Sequence, residues 1–194
     1  MKQKFYVLIG PPAVGKSTYV KNNFDINNIF VISRDSIVEK VAEHSGLTYN
    51  ELFSNPQDEN EKKKIKELNK IIDKTVISNF EKAINSDKDI VVDMTNLSKN
   101  TRRKALSKIQ GKEAQFEKVA VLFTFMRDDL ISAIKKIAQH RSKELELAGK
   151  PKNITSNLID QMVNSYEPPS LDEGFDRIEV INDSNRILKQ IKNI

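Results

Sequence analysis

The sequence has no cysteine and only 2 histidines among 194 residues. Without cysteine there can be no disulfide, thiolate zinc site, iron–sulfur cluster or cysteine nucleophile. The histidine count also argues against a multi-histidine metal site. Apolar runs are short, and none approaches the ~20 residues that a membrane-spanning helix needs. We therefore expect a soluble protein of the cytoplasm without a membrane partner.

What the sequence does contain is an alternation of short apolar segments with longer amphipathic ones. Strand-like segments lie at 5–9, 29–32, 90–92, 119–125 and 178–181, and helix-like ones at 35–44, 58–84, 97–109, 128–147 and 156–166, with a short helix at the end. Strands separated by helices predict an α/β fold with a parallel β-sheet flanked by helices. The length and the even composition predict a single domain over residues 1–194.

Residues 10–17 have the sequence GPPAVGKS, which fits the phosphate-binding pattern G-x-x-x-x-G-K-S/T. The motif follows the first strand and opens a helix, so backbone N–H groups and the helix N-terminus can surround phosphates. We expect Lys16 to reach the β- and γ-phosphates, the Ser17 hydroxyl to hold Mg²⁺ and Thr18 to contact the α-phosphate. The predicted nucleotide-binding residues are Gly10, Pro12, Ala13, Val14, Gly15, Lys16, Ser17 and Thr18. This pattern predicts a P-loop NTPase fold with ATP and Mg²⁺ as cofactors.

Ser33, Arg34 and Asp35 stand where the second strand segment ends. The carboxyl ends of parallel strands meet beside the P-loop, so the Asp35 carboxylate can take a proton from an acceptor hydroxyl. It can also lie in the outer shell of Mg²⁺, and Arg34 can hold a phosphate. Asp and Ser are also common helix N-caps, and capping is compatible with catalysis.

Asp93 closes the third strand segment, as the metal-binding acid of a Walker B strand does. No glutamate follows it, which argues against a motor-type ATPase. Residues 93–96 could instead form a turn that caps the next helix. Arg141 precedes a Gly-Lys-Pro loop, and we expect a helical lid over about 128–155 in which Arg141 stabilises transferring charge. A surface position for Arg141 is the alternative.

Four segments together resemble the kinase domain of the 5′-hydroxyl polynucleotide kinases of phages and end-healing enzymes. More widely, they resemble the small P-loop kinases that include the zeta-type toxins. The segments are 10–17, 34–35, 93–96 with Arg102 and Arg103 after it, and 162–178, which contains Glu-Gly-Phe-Asp at 173–176. Their order and spacing cover almost the whole chain.

The resemblance implies a role in nucleic acid end repair, and the host cytoplasm as location if the gene is phage-borne. It implies that Asp35 is the general base on the 5′-hydroxyl of a DNA or RNA end, and that Arg141 contacts the donor phosphates. Asp93, Thr95 and Asn96 would line the active site. Arg102, on the helix behind the active site, is included among the expected substrate-binding residues.

Two positions depart from this resemblance. Where the phage enzymes carry an arginine three residues after the base, this chain has Val38. Where a second lid arginine often precedes Arg141, it has Ile137, with Lys135 or Lys136 as substitutes. Three functions therefore stay open: the leading one, a polynucleotide 5′-kinase; a small-molecule kinase acting on a nucleoside, nucleotide or sugar nucleotide; and a nucleotide-dependent switch.

Overall fold

The computed structural model describes residues 2–182 and 184–191. The strands in this part of the chain are β1 (Gln3–Ile9), β2 (Ile29–Ile32), β3 (Asp89–Val92), β4 (Phe116–Phe123) and β5 (Arg177–Ile181). The helices there are α1 (Lys16–Asn23), α2 (Arg34–Ser45), α3 (Glu59–Ile84), α4 (Lys99–Leu106), α5 (Asp128–Leu147), α6 (Ser156–Asn164) and α7 (Ser184–Ile191). All four strand pairs are parallel, in the order β2-β3-β1-β4-β5. The predicted α/β fold with a parallel sheet is confirmed.

Both faces of the sheet are buried, which is why its strands are nearly continuous apolar runs. On β1, Phe5, Val7 and Ile9 enter one core, while Tyr6 and Leu8 enter the other. Helices α3 and α4 cover the first face, and α1, α5, α6 and α7 cover the second. The sheet is therefore the middle layer of three.

Local capping residues explain where several helices begin. The Asp58 carboxylate accepts a hydrogen bond of 2.9 Å from the Glu61 N–H, and α3 then runs unbroken for 26 residues. The helix predicted over 97–109 is shorter, because Ser98 caps it and a 3₁₀ turn replaces its last part. Strand β4 begins at Phe116 and ends at Phe123, two residues before the predicted end.

Because β1, β2 and β3 run parallel, the loops that follow them lie at one edge of the sheet. The connection from β1 runs past β3 to β2, whereas the connection from β4 runs to β5 on the other side, so a crevice opens at the carboxyl end of β1. A small separate core, formed by Ile37, Val38, Leu52 and Ile72, fixes α2 against α3 beside this crevice. Among residues 2–182 and 184–191, no helix combines the length and hydrophobicity needed to cross a bilayer.

Candidate active site

The P-loop connects β1 to α1 at this crevice. The loop is fixed to the neighbouring strand because the Gly10 N–H donates a hydrogen bond of 3.0 Å to the Thr95 carbonyl. Gly15 has a φ of 107° and no side chain caps the start of α1. The first N–H groups of a helix lack partners within the helix and can bind phosphate oxygens. The loop therefore has the backbone geometry that its sequence predicts.

The predicted P-loop residues divide into two groups. Pro12, Ala13, Gly15, Lys16, Ser17 and Thr18 line a cavity of about 1360 Å³ at the carboxyl edge of the sheet. Gly10 and Val14 lie behind the loop instead: Val14 is fully buried, and a β-carbon on Gly10 would come within 2.8 Å of its side chain. These two residues support the loop by packing against each other and do not line the cavity.

Lys16 extends along the loop from the first turn of α1. Its Nζ donates hydrogen bonds of 2.9 Å to the carbonyl oxygens of Gly10 and Pro11. Desolvation lowers the pKa of Lys16 to about 8, although the carboxylates of Asp93 and Asp35 oppose the shift. Both predicted acids therefore lie near the P-loop lysine.

Ser17 and Asp93 form the second part of the site. The Ser17 hydroxyl donates a hydrogen bond of 3.1 Å to Oδ2 of Asp93, which follows the end of β3. Mg²⁺ prefers oxygen ligands and usually takes one or two from the protein, with the rest from phosphates and water. A hydroxyl beside a carboxylate fits a nucleotide-bound Mg²⁺. The described residues contain no group of three acidic, histidine or cysteine side chains that could hold a metal by themselves.

Asp35 lies in the first turn of α2, but it is not the helix cap. The cap is Ser33, whose side chain accepts from the Ser36 N–H at 3.4 Å. The carboxylate of Asp35 is thus available for other partners. Its Oδ1 accepts a hydrogen bond of 3.0 Å from the Tyr49 hydroxyl, and its Oδ2 accepts one of 3.0 Å from Lys152 Nζ.

Tyr49 and Lys152 are site residues that the sequence reasoning missed. Neither belongs to a recognised motif, and Lys152 stands 117 positions from Asp35 in the chain. The usable signal was the basic Gly-Lys-Pro-Lys sequence, 149–152, that follows α5. Lys135, proposed as a substitute cation, pairs instead with Asp160 outside the cavity.

Arg34 lies at the cavity wall beside Asp35. Its Nη2 is 3.3 Å from Oδ1 of Asp73 on α3, and its guanidinium is 5.9 Å from the centre of the Phe53 ring. Its side chain remains partly exposed, so the ion pair with Asp73 is accessible to solvent.

Arg141 lines the cavity from α5. Burial and the neighbouring charge of Arg186 lower the pKa of Arg141 from its high ordinary value. Arg186, on α7, was also missed from the sequence. Its Nη2 donates to the Val14 carbonyl at 3.4 Å, and its guanidinium covers the α-carbon of Gly15. Arg186 therefore contacts the P-loop, and Arg141 lies near enough to Arg186 to be affected by its charge.

Asn96 and Thr95 follow β3 and support the loop from the same edge. Asn96 is buried, with a φ of 47°, and its Nδ2 donates a hydrogen bond of 2.8 Å to the Leu8 carbonyl. Both residues border the cavity. The Asn96 side chain therefore connects the end of β3 to β1. The Thr95 carbonyl holds the P-loop in place through its hydrogen bond from Gly10.

The structure does not place Arg102 where a substrate could touch it. Its side chain is fully buried, and its Nε and Nη2 each donate a hydrogen bond of 2.7 Å to the carboxylate of Glu173. Its Nη1 also donates to the carbonyls of Leu97 and Glu167, each at 2.9 Å. Arg102 therefore joins α4 to the segment before β5, and the expectation of a substrate contact is corrected to a structural role.

The wall of the cavity opposite the P-loop comes from α3 and α4. Its apolar part is Val76, Ile77 and Phe80, with Met94 from the loop after β3, and its basic part is Lys104 on α4 and Lys108 in the turn after it. A cavity of about 1360 Å³ exceeds the ~300–1,000 Å³ of a typical single-ligand site. There is room for a donor at the P-loop and an acceptor beside Asp35.

The parallel sheet, the P-loop and the paired Ser17 and Asp93 define a P-loop NTPase domain of the kinase-like type, which binds ATP with a divalent metal. A sequence model described as an AAA domain, AAA_33, matches residues 6–169. The chain therefore belongs to this family of P-loop domains. No curated protein matches the sequence significantly.

Solved structures with the same fold have little sequence in common with this chain. A candidate kinase from Chloroflexus aurantiacus has 12% identity, covers 100% of this chain and 98% of its own, and gives a TM-score of 0.59. A gluconokinase from Sinorhizobium meliloti has 14% identity, with 97% and 87% coverage and a TM-score of 0.50. Kti12 from Chaetomium thermophilum, solved with ADP-AlF3, has 12% identity, 97% coverage of both chains and a TM-score of 0.50. These similarities establish the shared fold.

Proposed function

We propose that this protein is an ATP- and Mg²⁺-dependent kinase that phosphorylates the 5′-hydroxyl of DNA or RNA ends, with Asp35 as the general base. The observation that carries the proposal is the position of Asp35: its carboxylate borders the same cavity as Lys16 and lies close enough to affect that lysine's pKa. A carboxylate beside a nucleotide site, with space for a second substrate, is the arrangement that a hydroxyl acceptor requires.

The reaction transfers one phosphoryl group. The acceptor oxygen bonds to the γ-phosphorus as its proton passes to Asp35, and the bond to the β–γ bridging oxygen breaks to release ADP. Lys16 and Arg141 place positive charge around the transferring group. Ser17 and Asp93 are the residues that would hold Mg²⁺, whose chemistry here is to neutralise phosphate charge. Positioning and electrostatics account for most of the rate in such reactions.

The side chains that line the wall opposite the P-loop favour an acceptor that carries phosphates and bases. Lys104 and Lys108 are exposed on one turn of α4 and the turn after it, where they can pair with backbone phosphates. The half-exposed Ile77, beside the nearly buried Phe80, offers apolar contact for a sugar or base. This combination favours the end of a nucleic acid.

A small-molecule acceptor is the second candidate, and one observation favours it. The Val38 side chain is fully buried in the small core under α2, and Arg34 already pairs with Asp73. The wall beside Asp35 thus offers no unpaired arginine from α2 for a 3′-phosphate. A nucleoside or sugar hydroxyl would need no such contact.

Transfer of labelled γ-phosphate separates these candidates. The acceptors are a 5′-hydroxyl DNA oligomer, the matching RNA, a nucleoside 3′-monophosphate and a pool of nucleosides and sugar nucleotides, each with ATP and Mg²⁺. We expect label on an oligomer, at an initial rate that falls steeply with salt because lysines release counterions on binding. Label only in the pool would contradict a polynucleotide acceptor. Slow ATP use with every acceptor would instead support a nucleotide-dependent switch.

Two variants test the base. Asp35→Asn should lose transfer by roughly 100-fold or more while binding ATP normally, because only the proton acceptor is removed. Asp87→Asn, at an exposed position before β3, is the matched control and should transfer at the normal rate. Normal transfer by the Asp35 variant would overturn its role.

A further inference from the structure

Three separate segments of the chain meet at the Asp35 carboxylate. Asp35 lies in the first turn of α2, Tyr49 lies in the loop that follows α2, and Lys152 lies in the loop between α5 and α6. Tyr49 holds one carboxylate oxygen and Lys152 holds the other, each at 3.0 Å. The orientation of this carboxylate is therefore set by residues from outside its own helix.

Lys152 is the most constrained member of this cluster. Its side chain is only 13% exposed, and Nζ also donates a hydrogen bond of 2.9 Å to Glu39. The same ammonium lies 4.5 Å from the centre of the Tyr49 ring. Fixing a lysine side chain has one of the largest entropy costs of any residue. The carboxylates of Asp35 and Glu39 and the ring of Tyr49 together offset that entropy cost.

The protonation states of Lys152 and Tyr49 allow both residues to donate hydrogen bonds to the Asp35 carboxylate. Desolvation alone would lower the pKa of Lys152, but hydrogen bonds and charge from Glu39 and Asp35 raise it overall. Burial raises the pKa of Tyr49, and the Asp35 carboxylate raises it further. Lys152 is thus an ammonium and Tyr49 a phenol at neutral pH. A carboxylate has about four lone-pair positions, so Asp35 keeps positions for an acceptor hydroxyl.

The loop that carries Lys152 also joins the base to the helix of Arg141. The Asn153 N–H donates a hydrogen bond of 3.0 Å to Oδ1 of Asn50, which seats the loop next to Tyr49. The following N–H, of Ile154, donates one of 3.1 Å to the Ser142 hydroxyl, directly after Arg141 on α5. Contact of this loop with α2 therefore positions Asp35 and Arg141 together.

We propose that Lys152 and Tyr49 are positioning residues for Asp35, and that Lys152 couples closure of the loop at 149–155 over the cavity to alignment of the base. This inference rests on the proposed role of Asp35. Closure brings the lid arginine to the donor side and orients the proton acceptor on the other side in one movement. Tyr49 supplies only orientation, whereas Lys152 supplies both orientation and attachment of the loop.

The test compares Lys152→Met, Lys152→Arg and Tyr49→Phe in the full chain. We expect Lys152→Met to lower kcat on the 5′-hydroxyl oligomer by roughly 10- to 100-fold, because small misplacements of reacting groups cost about that much. ATP affinity should stay within about twofold of normal. Lys152→Arg should restore most of kcat. Tyr49→Phe should lower kcat without loosening the loop.

Hydrogen exchange supplies a measurement that does not depend on turnover. Lys152→Met should speed amide exchange over 149–155, whereas Lys150→Met, at a lysine 73% exposed and 4.0 Å from Glu43, should change neither exchange nor kcat. If Lys152→Met behaved like the Lys150 control in both measurements, the proposal would be overturned.

Asp35→Asn distinguishes this inference from the proposed function. If Lys152 acts through Asp35, Lys152→Met should cost less kcat in the Asp35→Asn background than in the normal protein, because no base is left to orient and only the loss through the loop and Arg141 remains. Independent, multiplying losses would show that Lys152 does not act through the base. If Asp35→Asn alone kept normal transfer, the proposed function would fail, and the exchange data would still report whether Lys152 holds the loop.

Discussion

The Ser17 hydroxyl donates a hydrogen bond of 3.1 Å to Asp93, and this bond joins the first helix to the end of the adjacent strand β3. The pair brings a neutral and an anionic oxygen together at the mouth of the P-loop. Mg²⁺ bound with a nucleotide would find both ligands already oriented. The relationship links two segments that the sequence analysis treated as separate motifs.

Asp93→Asn should therefore raise the Mg²⁺ concentration needed for half-maximal transfer by roughly 10- to 100-fold, as loss of a metal-supporting group commonly does. The amide keeps the shape but removes the negative charge. Transfer rates measured across a Mg²⁺ titration check this. An unchanged midpoint, equal to that of Asp87→Asn, would contradict a metal role for Asp93.

ATP affinity should fall as the pH rises above about 8. The pKa of Lys16 is lowered to about 8 by desolvation, whereas bound phosphates favour its charged form. Binding above that pH must then take up a proton, and the affinity should drop by up to about tenfold per pH unit. Calorimetric titration with ATP from pH 7 to 9.5 measures the slope. Lys16→Arg stays charged and should flatten it, so equal slopes in both proteins would refute the assignment.

Gly15→Ala should abolish tight nucleotide binding. Its φ of 107° is unfavourable for any residue with a side chain, and a β-carbon there would collide with the Arg186 guanidinium. Combining it with Arg186→Ala removes the collision but leaves the backbone cost. We expect the double variant to remain weak in an ATP-binding assay. Full recovery would mean that Arg186, and not the backbone, sets the requirement for glycine.

Arg102→Leu should destabilise the fold by ~3–5 kcal/mol, because it leaves the buried Glu173 carboxylate without its partner. Urea unfolding measures the loss. Arg103→Ala, at the exposed neighbouring position, should stay within about 0.5 kcal/mol of the normal protein. A variant at Arg102 that was stable but unable to bind substrate would restore the original expectation of a substrate contact.

The sequence was most informative where the signal is local. Buried parallel strands are continuous apolar runs, so the five strands in the described part of the chain were found near their observed bounds. The P-loop was found because its eight residues are contiguous. Asp35 and Asp93 were found because polar residues directly after such strands come to the same edge of the sheet.

The residues that were missed or misplaced depend on contacts between distant segments. Arg102 and Arg103 are adjacent and chemically identical, yet one is fully buried and the other exposed. Only the folded position of Glu173, 71 residues later, decides which of them is structural. Lys152 likewise meets Asp35 only because a loop crosses the cavity, and the basic sequence at 149–152 does not by itself show which residue that loop reaches.

The strand order also determines when the sheet can assemble. Strands β1 and β2 are neighbours in the chain but not in the sheet, because β3 lies between them. During synthesis on the ribosome, β1 and β2 therefore emerge without a partner strand. They stay unpaired until β3, which begins at Asp89, has left the exit tunnel. Such long-range pairing slows folding and exposes strand edges to aggregation. Fragments that end before β3 should consequently depend on chaperones, and the phosphate loop should be shaped only after half the chain has been made.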